Sequence, residues 1–194
     1  MIISEVVKKG WAEAKKSFWF FVGLLIIYFA IVIVASLLLN KIKYVGQIIS
    51  FLLSFYLSVG LIIISLKKAR GQTASIGDLF AGFPFLASYA GASILYMFIV
   101  IAGMILLIFP GVIWSLKYMF YPYLIVDKNM KAVESLKASA KITEGSKWDL
   151  LGINFVIGVI SMLGVLCLVI GMFWTIPLSM IAQALVYMKF AEKL

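Results

Sequence analysis

The chain contains no histidine. It therefore lacks the commonest metal ligand and the usual general base near neutral pH. Its one cysteine, Cys167, excludes a disulfide framework and a cysteine-based metal cluster within one chain. Lying inside an apolar run, it reads as a small core hydrophobe. Carboxylates are scarce as well, with 8 Asp and Glu against 17 Lys and Arg, and none falls within a predicted span. A proton-coupled carrier of the usual kind needs such a group, so that class is disfavoured. Gly-x-x-x-x-Gly-Lys-Ser/Thr is absent, and no strand–helix alternation exists to hold a phosphate loop. With no Ser-His-Asp arrangement and no metal-ligand cluster, the expectation is a protein that is not an enzyme and carries no cofactor and no metal.

What the chain has in excess is apolar side chain. Of 194 residues 64% are hydrophobic and only 13% charged, with a mean hydropathy of +1.14. Soluble domains carry about 45–50% apolar and about 25% charged residues, and a water-soluble chain of this length could not hide such a surplus. The expected class is an all-α, polytopic integral membrane protein forming one transmembrane domain over 1–194. The net charge of +9 then places lysine against anionic lipid headgroups rather than nucleic acid.

Six spans are predicted, at 18–39, 47–66, 84–109, 112–126, 150–170 and 174–188, paired as three hairpins. A crossing takes about 20 residues through a hydrocarbon core of about 30 Å. The fourth span is short, roughly 22 Å as a helix, so the Pro110–Gly111 turn before it is expected partly within the bilayer. Ahead of the first span, residues 1–17 form an amphipathic helix whose apolar stripe is Ile3, Val7, Trp11, Ala14 and Phe18. Its pattern is that of a helix lying in the headgroup plane. A cleaved signal peptide is not expected, because the apolar run that follows exceeds an h-region of about 7–15 residues. Residues 128–145 form a second amphipathic helix with the stripe Met130, Val133, Leu136 and Ala140. Ser75 with Asp78, and Ser146 with Asp149, read as helix-capping pairs.

Basic residues predict orientation. Lys41 and Lys43 lie between the first two spans and Lys117 within the fourth, and every other Lys and Arg falls on the opposite side. By the positive-inside rule that side, with both termini, faces the cytoplasm, which makes this a multi-pass protein of the cytoplasmic (inner) membrane. A weak internal repeat is also present. Glu5, Lys8, Ser17, Trp19 and Gly23 recur at the same spacing as Glu134, Lys137, Ser146, Trp148 and Gly152, so an amphipathic helix leads twice into a span at a Ser-x-Trp step.

The candidate ligand or lipid-headgroup residues are Lys117, Tyr118, Tyr121 and Asn154. Lys117 is the one charged side chain inside a predicted span, which by default marks a functional site. Its bland reading is a lysine that snorkels to the outer headgroups. Tyr118 and Tyr121 offer hydroxyls or ring faces, and Asn154 an interhelical hydrogen bond. Pro122 and Pro177 break backbone hydrogen bonds in spans four and six, as at transporter sites or at plain kinks. Ser50, Ser54, Ser58 and Gly60 give span two a face for an internal contact or a homo-oligomer or membrane-protein partner.

One stretch carries a family likeness. Asp78-Leu-Phe-Ala-Gly-Phe83, Pro110-Gly111, Lys117-Tyr118, Tyr121-Pro-Tyr-Leu-Ile-Val-Asp127 and Ala132–Gly145 ahead of Trp148 make up its motifs. In these the chain resembles six-span bacterial and archaeal membrane proteins of unknown function, related to the membrane domain of glycerophosphoryl diester phosphodiesterase (YciC-like proteins). The resemblance implies an integral membrane protein. It does not carry the phosphodiesterase activity, because this chain has no soluble catalytic domain. Two functions follow as expectations: a lipid-interacting or scaffolding component of the membrane, or a small permease or exporter component with a pathway near Lys117.

Overall fold

A computed structural model describes residues 2–39, 43–166 and 168–194. Asn40, Lys41 and Cys167, which the sequence reading used, lie outside them. The described residues are all-α: α1 (Ile2–Lys16), α2 (Phe18–Leu39), α3 (Lys43–Ala69), α4 (Leu86–Leu106), α5 (Ile108–Tyr118), α6 (Tyr121–Lys128), α7 (Ala132–Ile142), α8 (Lys147–Leu166) and α9 (Leu168–Ala191). Two 3-10 turns, Ile76–Phe80 and Phe83–Phe85, precede α4. Five helical stretches are long and apolar enough to cross a membrane: Phe18–Leu39, Tyr44–Ala69, Ile76–Leu106, Lys147–Val165 and Gly171–Ala191.

The predicted span over 112–126 is instead two helices, each too short to cross alone. Pro122 supplies the reason. Its ring would meet the carbonyl of Tyr118 in a continuous helix; α5 ends at Tyr118, the backbone leaves helical geometry at Phe120, and the chain restarts with Pro122 in the first turn of α6. Pro177 stays inside α9. The turn expected at Pro110–Gly111 comes earlier, at Leu107, whose backbone is extended. Pro110 and Gly111 then open α5, where a missing N–H costs nothing. Gly111 also lets α5 settle on α4: a Cβ there would fall 2.6 Å from Met104 Sδ, and one on Gly103 2.9 Å from Gly111 Cα. The tip of this α4–α5 pair exposes Ile105, Leu106, Leu107, Ile108 and Phe109 in succession.

α8 and α9 meet as closely. A Cβ on Gly164 would lie 2.2 Å from Thr175 Oγ1, and the Ser161 and Ser179 hydroxyls are 2.8 Å apart. α8 is described to Leu166 and α9 from Leu168, so Gly171, which falls between the predicted spans 150–170 and 174–188, lies within α9.

α1 packs lengthwise on α9. Trp174 inserts its ring between Trp11 (5.2 Å) and Phe18 (4.4 Å). Among the residues of α1 whose burial is described, Val6, Gly10 and Ala14 are buried, one row of i, i+4 neighbours that shares Ala14 with the apolar stripe read from the sequence. Trp11 is exposed, and Gly10 sits 3.3 Å by its would-be Cβ from Leu178. Trp19 and Trp148, matched by the repeat, are both exposed where an amphipathic helix enters a long one.

Burial is uneven. One core joins Leu66, Phe120, Tyr123, Leu124, Ile153 and Tyr187, and a second joins Phe21, Leu24, Leu57, Ile64, Leu79 and Ile181. The far halves of α2, α4 and α8 are different: Ile33, Leu37, Phe98, Ile105, Met162 and Leu163 stand exposed, as lipid-facing side chains do. Among the described residues every buried side-chain nitrogen and oxygen has a hydrogen-bond partner.

Candidate functional site

The break between α5 and α6 positions the candidate site. Ending α5 at Tyr118 leaves the Lys117 carbonyl and the Phe120 N–H without the partners a continuous helix would supply. α7 supplies them. Ser139 Oγ accepts from Phe120 N (3.1 Å) and donates to Lys117 O (3.0 Å), while Thr143 Oγ1 lies 3.0 Å from the same carbonyl. Ser139 and Thr143 are both buried. With Ser135 they form a hydroxyl row along α7, so the buried face of that helix differs from the predicted apolar stripe, and Val133 is exposed. Ser139→Ala is expected to lower stability by about 1–3 kcal/mol in chemical unfolding, the cost of an orphaned buried N–H. Thr143→Val should cost less, because Lys117 O keeps the Ser139 hydroxyl.

Held this way, Lys117 borders a recess of about 170 Å³, lined with it by Ala140, Lys141, Thr143, Glu144 and Lys147. Three lysines therefore face one glutamate. Lys117 is half-buried, with its Nζ 5.6 Å from the Tyr118 ring centre, within cation–π range. The snorkelling reading puts Lys117 on the side opposite the basic α7–α8 segment, whereas the recess sets it beside Lys141 and Lys147 of that segment. Sequence reading missed Lys141 and Lys147 as its companions, since charge alone made them part of a solvated face. Beside the recess runs an apolar groove of about 100 Å³, lined by Phe109, Val112, Ile113 and Leu116 from α5 and by Trp148 and Leu151 from α8. Lys147 lines both.

The other predicted site residues turn elsewhere. Tyr121 is buried against α4, its hydroxyl 2.8 Å from Ser93 Oγ and its ring beside Tyr89 and Tyr96. Asn154 donates to Leu150 O of its own helix (2.8 Å) and approaches Met119 Sδ (3.6 Å). Tyr118 packs against the cluster of Ala92, Tyr121, Ile125 and Leu136. All four residues thus surround the helix break, but Lys117 alone of them lines the recess.

Of the capping pairs, Asp78 Oδ2 accepts from Ser75 N at 2.8 Å as expected, and its Oδ1 also pairs with Lys67 at 2.6 Å. Ser146 precedes α8 and its carbonyl accepts from Leu150 N (3.0 Å), while its hydroxyl receives Lys193 Nζ (3.1 Å). Asp149 lies in the first turn of α8. A further polar centre joins three helices: Asp127 accepts from Arg70 after α3 and from the Tyr187 hydroxyl of α9 (2.8 Å). The sequence offered no sign of it, because the three residues are far apart in the chain.

No family model, no curated protein and no solved structure matches the chain.

Proposed function

We propose that this is a non-enzymatic, multi-pass protein of the cytoplasmic membrane that holds anionic lipid headgroups on its lysine-rich side. The observation that carries the reading is the convergence of Lys117, Lys141 and Lys147 on one recess. Basic residues near an anionic membrane surface are each worth about 1 kcal/mol, and a half-buried lysine is screened less than a fully exposed one. In this reading α2–α3, α4–α5 and α8–α9 are three hairpins that each leave and return to the same side, with both termini cytoplasmic. The motif resemblance to the YciC-like membrane proteins is part of the same proposal and is compatible with a role in lipid handling or as a scaffold.

The test is native mass spectrometry after detergent-free reconstitution, comparing the wild type with Lys117→Met. Retention of anionic lipid is expected to fall about fivefold, the equivalent of roughly 1 kcal/mol. Equal retention in both proteins would make Lys117 a structural anchor and remove the site. The second reading, a small permease with a pathway at Lys117, draws on the polarity of the recess. Solute flux in sealed vesicles that is lost with Lys117→Met would favour it over the first.

A further inference from the structure

We infer that the recess is one end of a longer site, whose occupant is a whole anionic glycerophospholipid with an acyl chain lying in the groove between α5 and α8. This rests on the reading of the recess as an anion site and goes beyond it by assigning the chain.

Three observations support the assignment. First, Phe109, Val112, Ile113 and Leu116 occupy spacings of three and four on α5 and so line one face, while Trp148 and Leu151 form the opposite wall from α8. Second, the groove and the recess are neighbours, with Lys147 in the lining of both and Leu116 and Lys117 adjacent in the chain. Third, the apolar track continues beyond the groove over exposed Ile108 and Phe155, where the remainder of a long chain would lie. A soluble phosphate ester can use only the recess, and a neutral chain only the groove. An amphiphile with a phosphate at one end uses both, and three lysines against one glutamate leave a positive balance to meet its charge. Trp148, largely exposed at the junction, has the amphipathic ring that settles at headgroup level.

The experiment places the full chain in phosphatidylcholine nanodiscs doped with phosphatidylglycerol. Native mass spectrometry counts the phosphatidylglycerol retained, and glycerol 3-phosphate serves as the soluble competitor. Leu151→Trp and Ile113→Trp fill the groove, and Lys117→Met with Lys141→Met discharges the recess. Leu151 is 38% exposed, so the larger ring can occupy the groove without entering the core, and Leu151→Ala serves as the unfilled control. Bilayer hydrocarbon solvates a chain almost as well as the groove does, so the effect of groove filling is moderate. Either tryptophan should lower phosphatidylglycerol retention about fivefold while leaving glycerol 3-phosphate affinity unchanged, and Leu151→Ala should retain lipid like the wild type. The double lysine variant should lose about 30-fold for both ligands.

If the tryptophan variants retain lipid like the wild type while the lysine variant does not, the chain assignment is overturned and the headgroup reading stands. If neither set loses lipid, both fall. If glycerol 3-phosphate competes fully and the groove variants change nothing, the ligand is the soluble ester and the lipid assignment is wrong.

Discussion

Gly60→Ala is expected to destabilise the protein by about 2–3 kcal/mol without changing its helical content. Gly60 faces the 3-10 turn Ile76–Phe80, and a Cβ there would lie 2.0 Å from Leu79 O and 2.5 Å from Leu79 C. Both are backbone atoms, so no side-chain rotation relieves the clash. The turn is also held on three sides: Lys67 pairs with Asp78, Asp78 accepts from Ser75 N, and the Tyr56 hydroxyl donates to Phe80 O. Alanine gains about 1 kcal/mol in helix propensity over glycine, which offsets only part of the overpacking. Gly23→Ala is the control, since nothing lies within 4 Å of its would-be Cβ, and it should be neutral or slightly stabilising. A titration with SDS, followed by tryptophan fluorescence and far-UV circular dichroism, measures both. Equal midpoints for Gly60→Ala and wild type would mean that the turn does not dock on α3.

Tyr187→Ala should cost more, about 3–5 kcal/mol, the range for deleting a large buried aromatic. Tyr187 is fully buried, stacks on Tyr123 at 5.2 Å and 19°, and lies 6.0 Å from Phe120. Its hydroxyl donates to Asp127, which also binds Arg70. Tyr187→Phe isolates the hydrogen bond and should cost about 1.5 kcal/mol, as for a bond to a charged group. Alanine and phenylalanine variants of equal stability would remove the packing role, and a phenylalanine variant equal to wild type would remove the Asp127 bond. The same unfolding titration distinguishes the two.

Much of the architecture was legible because hydropathy reports directly on contact with lipid. The runs at 18–39 and 84–109 announce themselves, and α2 and α4 follow them closely. Hydropathy does not report on neighbours. Val7, Trp11 and Ala14 mark the apolar stripe of α1, yet the row buried in the protein is Val6, Gly10 and Ala14, because the small Gly10 and Ala14 let α1 and α9 approach. Ser139 and Thr143 look solvated, but they complete a backbone that Pro122 interrupts one element away. The same proline turned one predicted span into two short helices, an effect that depends on where the chain must go next as much as on the residue. At the site, Lys117 stood out because it was alone in an apolar run. Lys141 and Lys147 could not stand out, since only the fold brings them to it.

The tip of the α4–α5 pair, Ile105 to Phe109, has no polar side chain to present to water. α5 is 11 residues long, about 16 Å, or roughly half the thickness of a hydrocarbon core. On the reading proposed above, with Lys117 among the headgroups, that tip would reach only the bilayer midplane, and the first turns of the longer α4 would stand outside the hydrocarbon beside α7. The pair would then add volume to one leaflet and none to the other, and a membrane patch dense in this protein would curve with its lysine-bearing face outward.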